Sequence, residues 1–184
     1  MRPLLVILVA AAFSSDIMTT TMAFSAQNTA LEALSKMTVL SIDSGDLDTV
    51  EKYAATGCIT DATTNPLFVS QAGANGDERY EKMVLDSIQY AKEKLSESAD
   101  IEEKVNLAID KLAVNLGAQL LELVPGKVST EVDIRLSFDT EKSIERARNI
   151  ISMYEAMGID KSRVLIKLAG TWEGIQAAKV LECK

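Results

Sequence analysis

From Thr38 onward the apolar residues of this chain switch back and forth between two periods, and that alternation restricts the fold more than any other feature. A period of two marks a strand and a period near 3.6 marks a helix. Thr38 to Asp43 alternates as a strand, followed by a short helix from Asp46 to about Ala55 that Gly57 stops. Cys58 to Thr64 reads as a second strand, ended by Asn65-Pro66. A helix over Asp77 to Leu95 carries Tyr80, Val84, Ile88, Ala91 and Leu95 on one side. A longer helix over Ile101 to Val124 carries Ile101, Val105, Ile109, Leu112, Leu116 and Leu120 before Pro125-Gly126 breaks it. Lys127 to Asp133 alternates as a third strand. Thr140 to Met157 is then a helix with Ile144, Ala147, Ile151 and Tyr154 inward, capped by Asp139 before it and Gly158 after it. Val164 to Ala169 is a fourth strand, and Thr171 caps a last helix. Strands that alternate with helices specify a parallel α/β architecture, here an open sheet or half of a barrel.

Composition narrows the chemistry. The chain has 184 residues and a net charge of -8, with no cluster of Lys and Arg that could follow a phosphate backbone, so nucleic acid is not an expected partner. A small anionic sugar phosphate stays open, because a few local cations hold it whatever the net charge. The chain has no histidine, and its two cysteines, Cys58 and Cys183, lie far apart. A zinc site, a disulfide framework and a His-dependent triad are therefore all poorly supported, and the cysteines read as buried thiols. Arg2 precedes an apolar run from Leu4 to Phe13 that is too short to span a bilayer, so stable membrane insertion is not expected. Small residues at Ala12-Phe13-Ser14 and at Ala23-Phe24-Ser25-Ala26 offer cleavage sites, and residues 1–28 read as a processed leader outside the fold. A two-part leader of this kind suits a plastid reached through the secretory route; a cytoplasmic protein with a misplaced start is the competing reading.

One residue resists the apolar pattern. Lys167 sits inside Val164-Leu-Ile-Lys-Leu-Ala169, a run that reads as a buried strand with no local carboxylate. An ammonium taken out of water favours its neutral form, and a neutral amine can attack a ketone to give a Schiff base. Strand parity extends this to a set. Ser129, Glu131 and Asp133 share one face of the third strand, Leu165, Lys167 and Ala169 one face of the fourth, and Asp61, Thr63 and Asn65 one face of the second; Asp43 closes a face with Val39 and Ser41 in the first. In a (β/α) barrel the C-terminal strand ends build the active site, so Asp43, Asn65, Glu131 and Lys167 would converge there. Two carboxylates, an amide and an amine suit acid-base work at a carbonyl.

These residues lie within longer motifs: Ser41-Ile-Asp-Ser-Gly-Asp46, Asp61-Ala-Thr-Thr-Asn-Pro66, Pro125-Gly-Lys-Val-Ser-Thr-Glu-Val-Asp133 with Arg135-Leu-Ser-Phe-Asp139, and Val164-Leu-Ile-Lys-Leu-Ala-Gly-Thr-Trp-Glu-Gly174. In order and spacing they resemble the transaldolase family, from about residue 30 to the last residue. The resemblance implies a (β/α)8 TIM-barrel fold of class I aldolase type. It also implies transfer of a dihydroxyacetone unit from a ketose phosphate, such as sedoheptulose 7-phosphate or fructose 6-phosphate, to an aldose phosphate, such as glyceraldehyde 3-phosphate or erythrose 4-phosphate, in the pentose phosphate pathway. By that resemblance Lys167 is the Schiff-base lysine, Glu131 holds and activates a water for the proton transfers, and Asp43 accepts the proton of the sugar C4 hydroxyl. Asn65 and Thr63, with Ser129 as a weaker candidate, would bind the dihydroxyacetone moiety. The protonated imine is the electron sink, so neither a metal nor a diffusible cofactor is expected.

Leu67 and Gly170 depart from the small polar residues that family members commonly carry at these places. The resemblance covers about the first four β/α units, so residues 29–184 are expected to form the N-terminal half of such a barrel. The threonine that helps position the catalytic water and the arginine-containing phosphate pocket, both in the other half, have no counterpart here. Transaldolase is the preferred reading. The alternatives are a fructose-6-phosphate-type aldolase that cleaves rather than transfers, and an inactive half barrel acting only as an interaction protein. Sugar phosphates are the expected ligands, and a homodimer stays open.

Overall fold

The computed structural model describes residues 30–74 and 77–182; the expected leader and Cys183 lie outside the described residues. Its centre is one parallel sheet of four strands in the order β1-β2-β3-β4. The strands are β1 (Ser41–Asp43), β2 (Asp61–Thr63), β3 (Val128–Glu131) and β4 (Val164–Lys167). Between and after them run α1 (Leu47–Ala54), α2 (Pro66–Ala74), α3 (Glu78–Lys94), α4 (Ile101–Leu123), α5 (Thr140–Ala156) and α6 (Trp172–Glu182). Sequential strands pair as neighbours throughout, the topology expected of consecutive β/α units. Among the described residues no helix is long and apolar enough to cross a membrane.

The second strand is shorter than its apolar run, because Cys58 and Ile59 are buried ahead of the ladder and the Thr60 and Asp61 N–H groups both donate to Leu40 O. Helix α2 is absent from the sequence reading, which took Asn65-Pro66 only as a stop. Pro66 instead occupies the first helical position, where a missing N–H costs nothing, and Asn65 Oδ1 accepts from Phe68 N at 3.0 Å as the cap. Helix α3 buries Tyr80, Met83, Ser87 and Ala91, while Ile88 is exposed. The stripe is rotated because α4 presents Asn115, whose Nδ2 donates to Ser87 Oγ at 3.0 Å inside the helix pair. A search for apolar residues alone passes over such a polar contact.

The fully buried apolar residues of α4 lie in its second half. Val114, Leu116 and Leu120 are fully buried, whereas Ile101, Val105 and Ile109 of the expected stripe are exposed. A helix of 23 residues is roughly 35 Å long and overshoots strands of four residues, so its first turns have no sheet to cover. Gly117 lets α4 approach the sheet: a Cβ there would run into the Tyr154 hydroxyl, which is hydrogen bonded to Thr130 Oγ1 at 2.7 Å. Burial pushes the Tyr154 phenol well above its usual range, so it stays neutral. The far end of α4 is held by Arg163, which donates to the carbonyls of Val124 (2.9 Å), Leu121 (3.2 Å) and Gly126. In α5, Ala147 and Tyr154 are buried as expected, with Ile150 and Met153 beside them in place of Ile144 and Ile151. Asp139 accepts from Lys142 N and caps this helix, and Thr171 Oγ1 accepts from Gly174 N and caps α6.

Candidate active site

Register decides which polar side chains meet. Asp43 lies opposite Thr63, Thr63 opposite Ser129, and Ser129 opposite Leu165; one step along, Glu131 lies opposite Lys167. Partners across a parallel ladder point to the same side, and residues two apart on a strand do too. Asp43, Thr63, Ser129, Glu131 and Lys167 therefore share one face of the sheet. Val128 and Thr130 take the other face, fully buried against the helices.

On the shared face two contacts have formed. Lys167 Nζ is 2.9 Å from Glu131 Oε2, and Thr63 Oγ1 donates to Asp43 Oδ1 at 2.5 Å. The expectation of a buried, desolvated lysine is corrected here. β4 is the last strand of the sheet, Leu165, Ile166 and Lys167 in it are only partly covered, and the Lys167 side chain is 46% exposed. What distinguishes Lys167 is its carboxylate neighbour across the ladder. The pairing is fixed by backbone, because Val132 N–H donates to Lys167 O at 3.0 Å just past Glu131.

Ser129 is buried, and its Oγ has no hydrogen-bond partner among the described residues. Buried hydroxyls are ordinarily hydrogen bonded, so Ser129 Oγ is available to an ordered water or to a bound group. Asn65 stands at the end of β2, where its Oδ1 serves as the cap of α2. Asn65 and Glu131 together line a cavity of about 530 Å³ walled by Val69, Val84, Leu112 and Ile134. Among the described residues, no group of three or more His, Cys, Asp or Glu side chains is placed to hold a metal ion.

The strand-end loops are pinned by residues to which the sequence reading gave no site role. After Asp43, the buried Tyr80 hydroxyl donates to Gly45 O at 2.8 Å and accepts from Leu47 N at 2.9 Å. After Glu131, Asp133 Oδ1 accepts from Arg135 N at 2.9 Å and starts a 3-10 turn over Ile134–Leu136. The Arg135 guanidinium closes back on Asp133, holding that carboxyl below the usual range against the opposing effect of its burial. Nearby, Asp110 is buried and paired with Arg146; burial raises its carboxyl pKa against the pull of the arginine. The Asp-x-Arg spacing was a readable signal, since Asp commonly bonds to the backbone two residues on in a turn. Asp110 gave no such signal, because its partner is 36 residues away.

Such a face can carry proton traffic at a carbonyl. It holds an amine beside a carboxylate, a second carboxylate with a hydroxyl on it, and a buried hydroxyl between them.

Comparison with known proteins agrees. The family described as "Transaldolase/Fructose-6-phosphate aldolase" has a model that matches residues 40–184. A "Probable transaldolase" of Dictyostelium discoideum is 50% identical over 155 residues, covering 83% of this chain and 45% of that protein. A "Transaldolase" of Shewanella sp. strain ANA-3 is 48% identical over 152 residues, again covering 83% and 45%. "Transaldolase A" of Escherichia coli strain K12 is 47% identical over 152 residues with the same coverage. The chain thus spans about 45% of the length of these curated relatives.

Proposed function

Because the chain belongs to the transaldolase/fructose-6-phosphate aldolase family, we propose that it works as a transaldolase, moving a dihydroxyacetone unit from a ketose phosphate to an aldose phosphate through a Schiff base on Lys167. The observation that carries this reading is the contact of 2.9 Å between Lys167 Nζ and Glu131 Oε2 on the same face as Asp43 and Thr63.

In this reading Glu131 accepts the proton that leaves the Lys167 amine nucleophilic. The amine adds to C2 of the ketose, and Glu131 returns protons through a water so that the C2 oxygen departs as water and a protonated imine remains. Asp43 takes the proton of the C4 hydroxyl. The C4 oxygen becomes a carbonyl, the C3–C4 bond breaks, and its electron pair moves into the imine to give an enamine as the aldose phosphate leaves. The acceptor aldehyde takes that pair at its carbonyl carbon, Asp43 protonates the new alkoxide, and water releases the product from Lys167. Asn65, Thr63 and Ser129 hold the hydroxyls of the bound three-carbon unit, which would give Ser129 Oγ a partner that the described residues do not provide.

The test is borohydride reduction of the full chain with fructose 6-phosphate. A single adduct on Lys167 is expected, absent in Lys167→Met. No adduct on wild type with a cooperative melt would sink the mechanism. The family also takes in fructose-6-phosphate aldolase, and erythrose 4-phosphate separates the two. Transfer yields sedoheptulose 7-phosphate, whereas cleavage releases free dihydroxyacetone. A homodimer and delivery to a plastid by residues 1–28 belong to the same proposal. Sedimentation and a fluorescent fusion of the leader test them, a cytosolic signal favouring the cytoplasmic alternative.

A further inference from the structure

We infer that Arg135 is a positioning residue for Glu131, acting through Asp133 and Asn106. The inference rests on the reading of Glu131 as the group that moves protons at Lys167.

Among the described residues, the Glu131 carboxylate has one polar side-chain partner, the Lys167 ammonium. Its placement therefore depends on how the chain leaves β3. Two features fix that exit. One is the hydrogen bond from Val132 N to Lys167 O. The other is built on Arg135. Its Nε lies 3.1 and 2.9 Å from the two Asp133 oxygens, and its Nη2 lies 2.5 Å from Asp133 Oδ2. The same Nη2 donates to Asn106 Oδ1 at 2.6 Å, and Nη1 lies 3.8 Å from Glu102, both on α4. The planar fork of an arginine can serve one carboxylate with two donors and still reach a second acceptor, which a lysine cannot do. Arg135 thus fastens the turn after Glu131 to a helix whose far end is packed in the core.

A 3-10 turn needs only its Asp133 cap. The reach to Asn106 and Glu102 adds nothing to that cap, and it fixes where the turn sits relative to the sheet. Catalytic groups lose rate steeply when displaced: a shift of about 1 Å can cost about 100-fold. Loosening the turn is expected to cost rate, while stability changes little because the Arg135 side chain is 57% exposed.

The experiment measures the rate at which fructose 6-phosphate and borohydride label Lys167 in wild type, Arg135→Met, Arg135→Lys, Glu131→Gln and the Arg135→Met/Glu131→Gln double variant. Arg135→Met should slow labelling about 10-fold, with half-saturation by the sugar phosphate and the melting temperature nearly unchanged. Arg135→Lys should recover part of the rate. The double variant should label no more slowly than Glu131→Gln alone, since the hydrogen bonds and ion pairs of the Arg135 side chain go to Asp133, Asn106 and Glu102 and none to Lys167 among the described residues. Wild-type labelling in Arg135→Met, or multiplied losses in the double variant, would overturn the inference while leaving the Schiff-base reading intact. If Arg135→Met does not melt cooperatively, Asn106→Leu replaces it, cutting only the link to α4. Absence of labelling in wild type removes both readings together.

Discussion

At Lys167 and Glu131, stability and chemistry should separate. The pair is partly solvated, with side-chain exposures of 46% and 21%, so its net contribution to folding falls within the ~0–1 kcal/mol of exposed pairs. As a proton carrier the same carboxylate is worth about 100- to 10,000-fold in rate. Glu131→Gln is therefore expected to leave the urea midpoint almost unchanged and to slow borohydride labelling at least about 100-fold. A large loss of stability with normal labelling would make Glu131 a structural partner only. Asp133 gives a pH prediction. Its folded pKa lies below the ordinary value of 3.8, chiefly through the Arg135 hydrogen bond. The stability from this lowered pKa is present above the unfolded pKa and is lost as pH falls below about 4 through the folded pKa. Asp133→Asn should flatten that acid limb of a stability titration, though only in part, since Asp139 and Asp160 are depressed by their own turn hydrogen bonds. Parity sorted Thr63, Ser129 with Glu131, and Lys167 onto one face of each strand, because a period of two leaves no freedom once a strand is located; that these faces coincide is set by the register of the ladders. The exposure of Lys167 was not legible in that way. It depends on what covers the strand, and a run such as Val-Leu-Ile-Lys reads as buried wherever it lies.

At the scale of elements, the contact of α4 with the sheet turns on Gly117. A Cβ there would lie 3.0 Å from Tyr154 Cζ and closer still to its hydroxyl, at a place where Tyr154 is fully buried and bonded to Thr130. Gly117→Ala must then push α4 outward or break the Tyr154–Thr130 bond, at a cost of about 1–3 kcal/mol. Tyr154→Phe should cost about 1–2 kcal/mol, since it leaves the Thr130 hydroxyl buried without its partner. The two changes should not add. With the phenol oxygen gone, the new methyl has more room, and the double variant is expected to recover about 1 kcal/mol in urea melts relative to the sum. Strictly additive losses would mean that the methyl strikes something else. Element type and order were legible for the long periodic segments. The inward face was legible for α5 in part, and for α3 and the first half of α4 poorly. A stripe of apolar residues names the hydrophobic side of a helix, whereas the buried side is set by its neighbours, which include Ser87 with Asn115 and a sheet shorter than the helix. Helix α2 was missed because proline before a helix and proline after a strand look alike in sequence.

On the scale of the whole molecule, the open question is what lies against the last strand. Among the described residues β1 and β4 each pair on one side only. Beside β4, Leu165, Leu168, Val180 and Leu181 line a trough of about 720 Å³, and Leu165 and Val180 are exposed. A parallel sheet is ordinarily covered on both faces, and an unpaired edge beside an apolar trough is a template for association. The chain printed here, expressed by itself, should therefore self-associate with rising concentration, and sedimentation up to about 100 μM should detect it. Val180→Glu places a carboxylate in the trough and adds to a net charge of -8, so it should shift the equilibrium toward monomer. Because Val180 is half exposed on α6, away from Lys167 and Glu131, this change should leave the melting temperature of the monomer near that of wild type. The same experiment bears on the site. Of the trough residues on β4, Leu165 shares a face with Lys167, so a partner that extends from the trough around the β4 edge also reduces the water around the Lys167–Glu131 pair. Labelling of Lys167 should then rise with protein concentration in wild type and stay flat in Val180→Glu. Labelling that is independent of concentration in both would show that association occurs away from β4 and that the pair works at its present exposure.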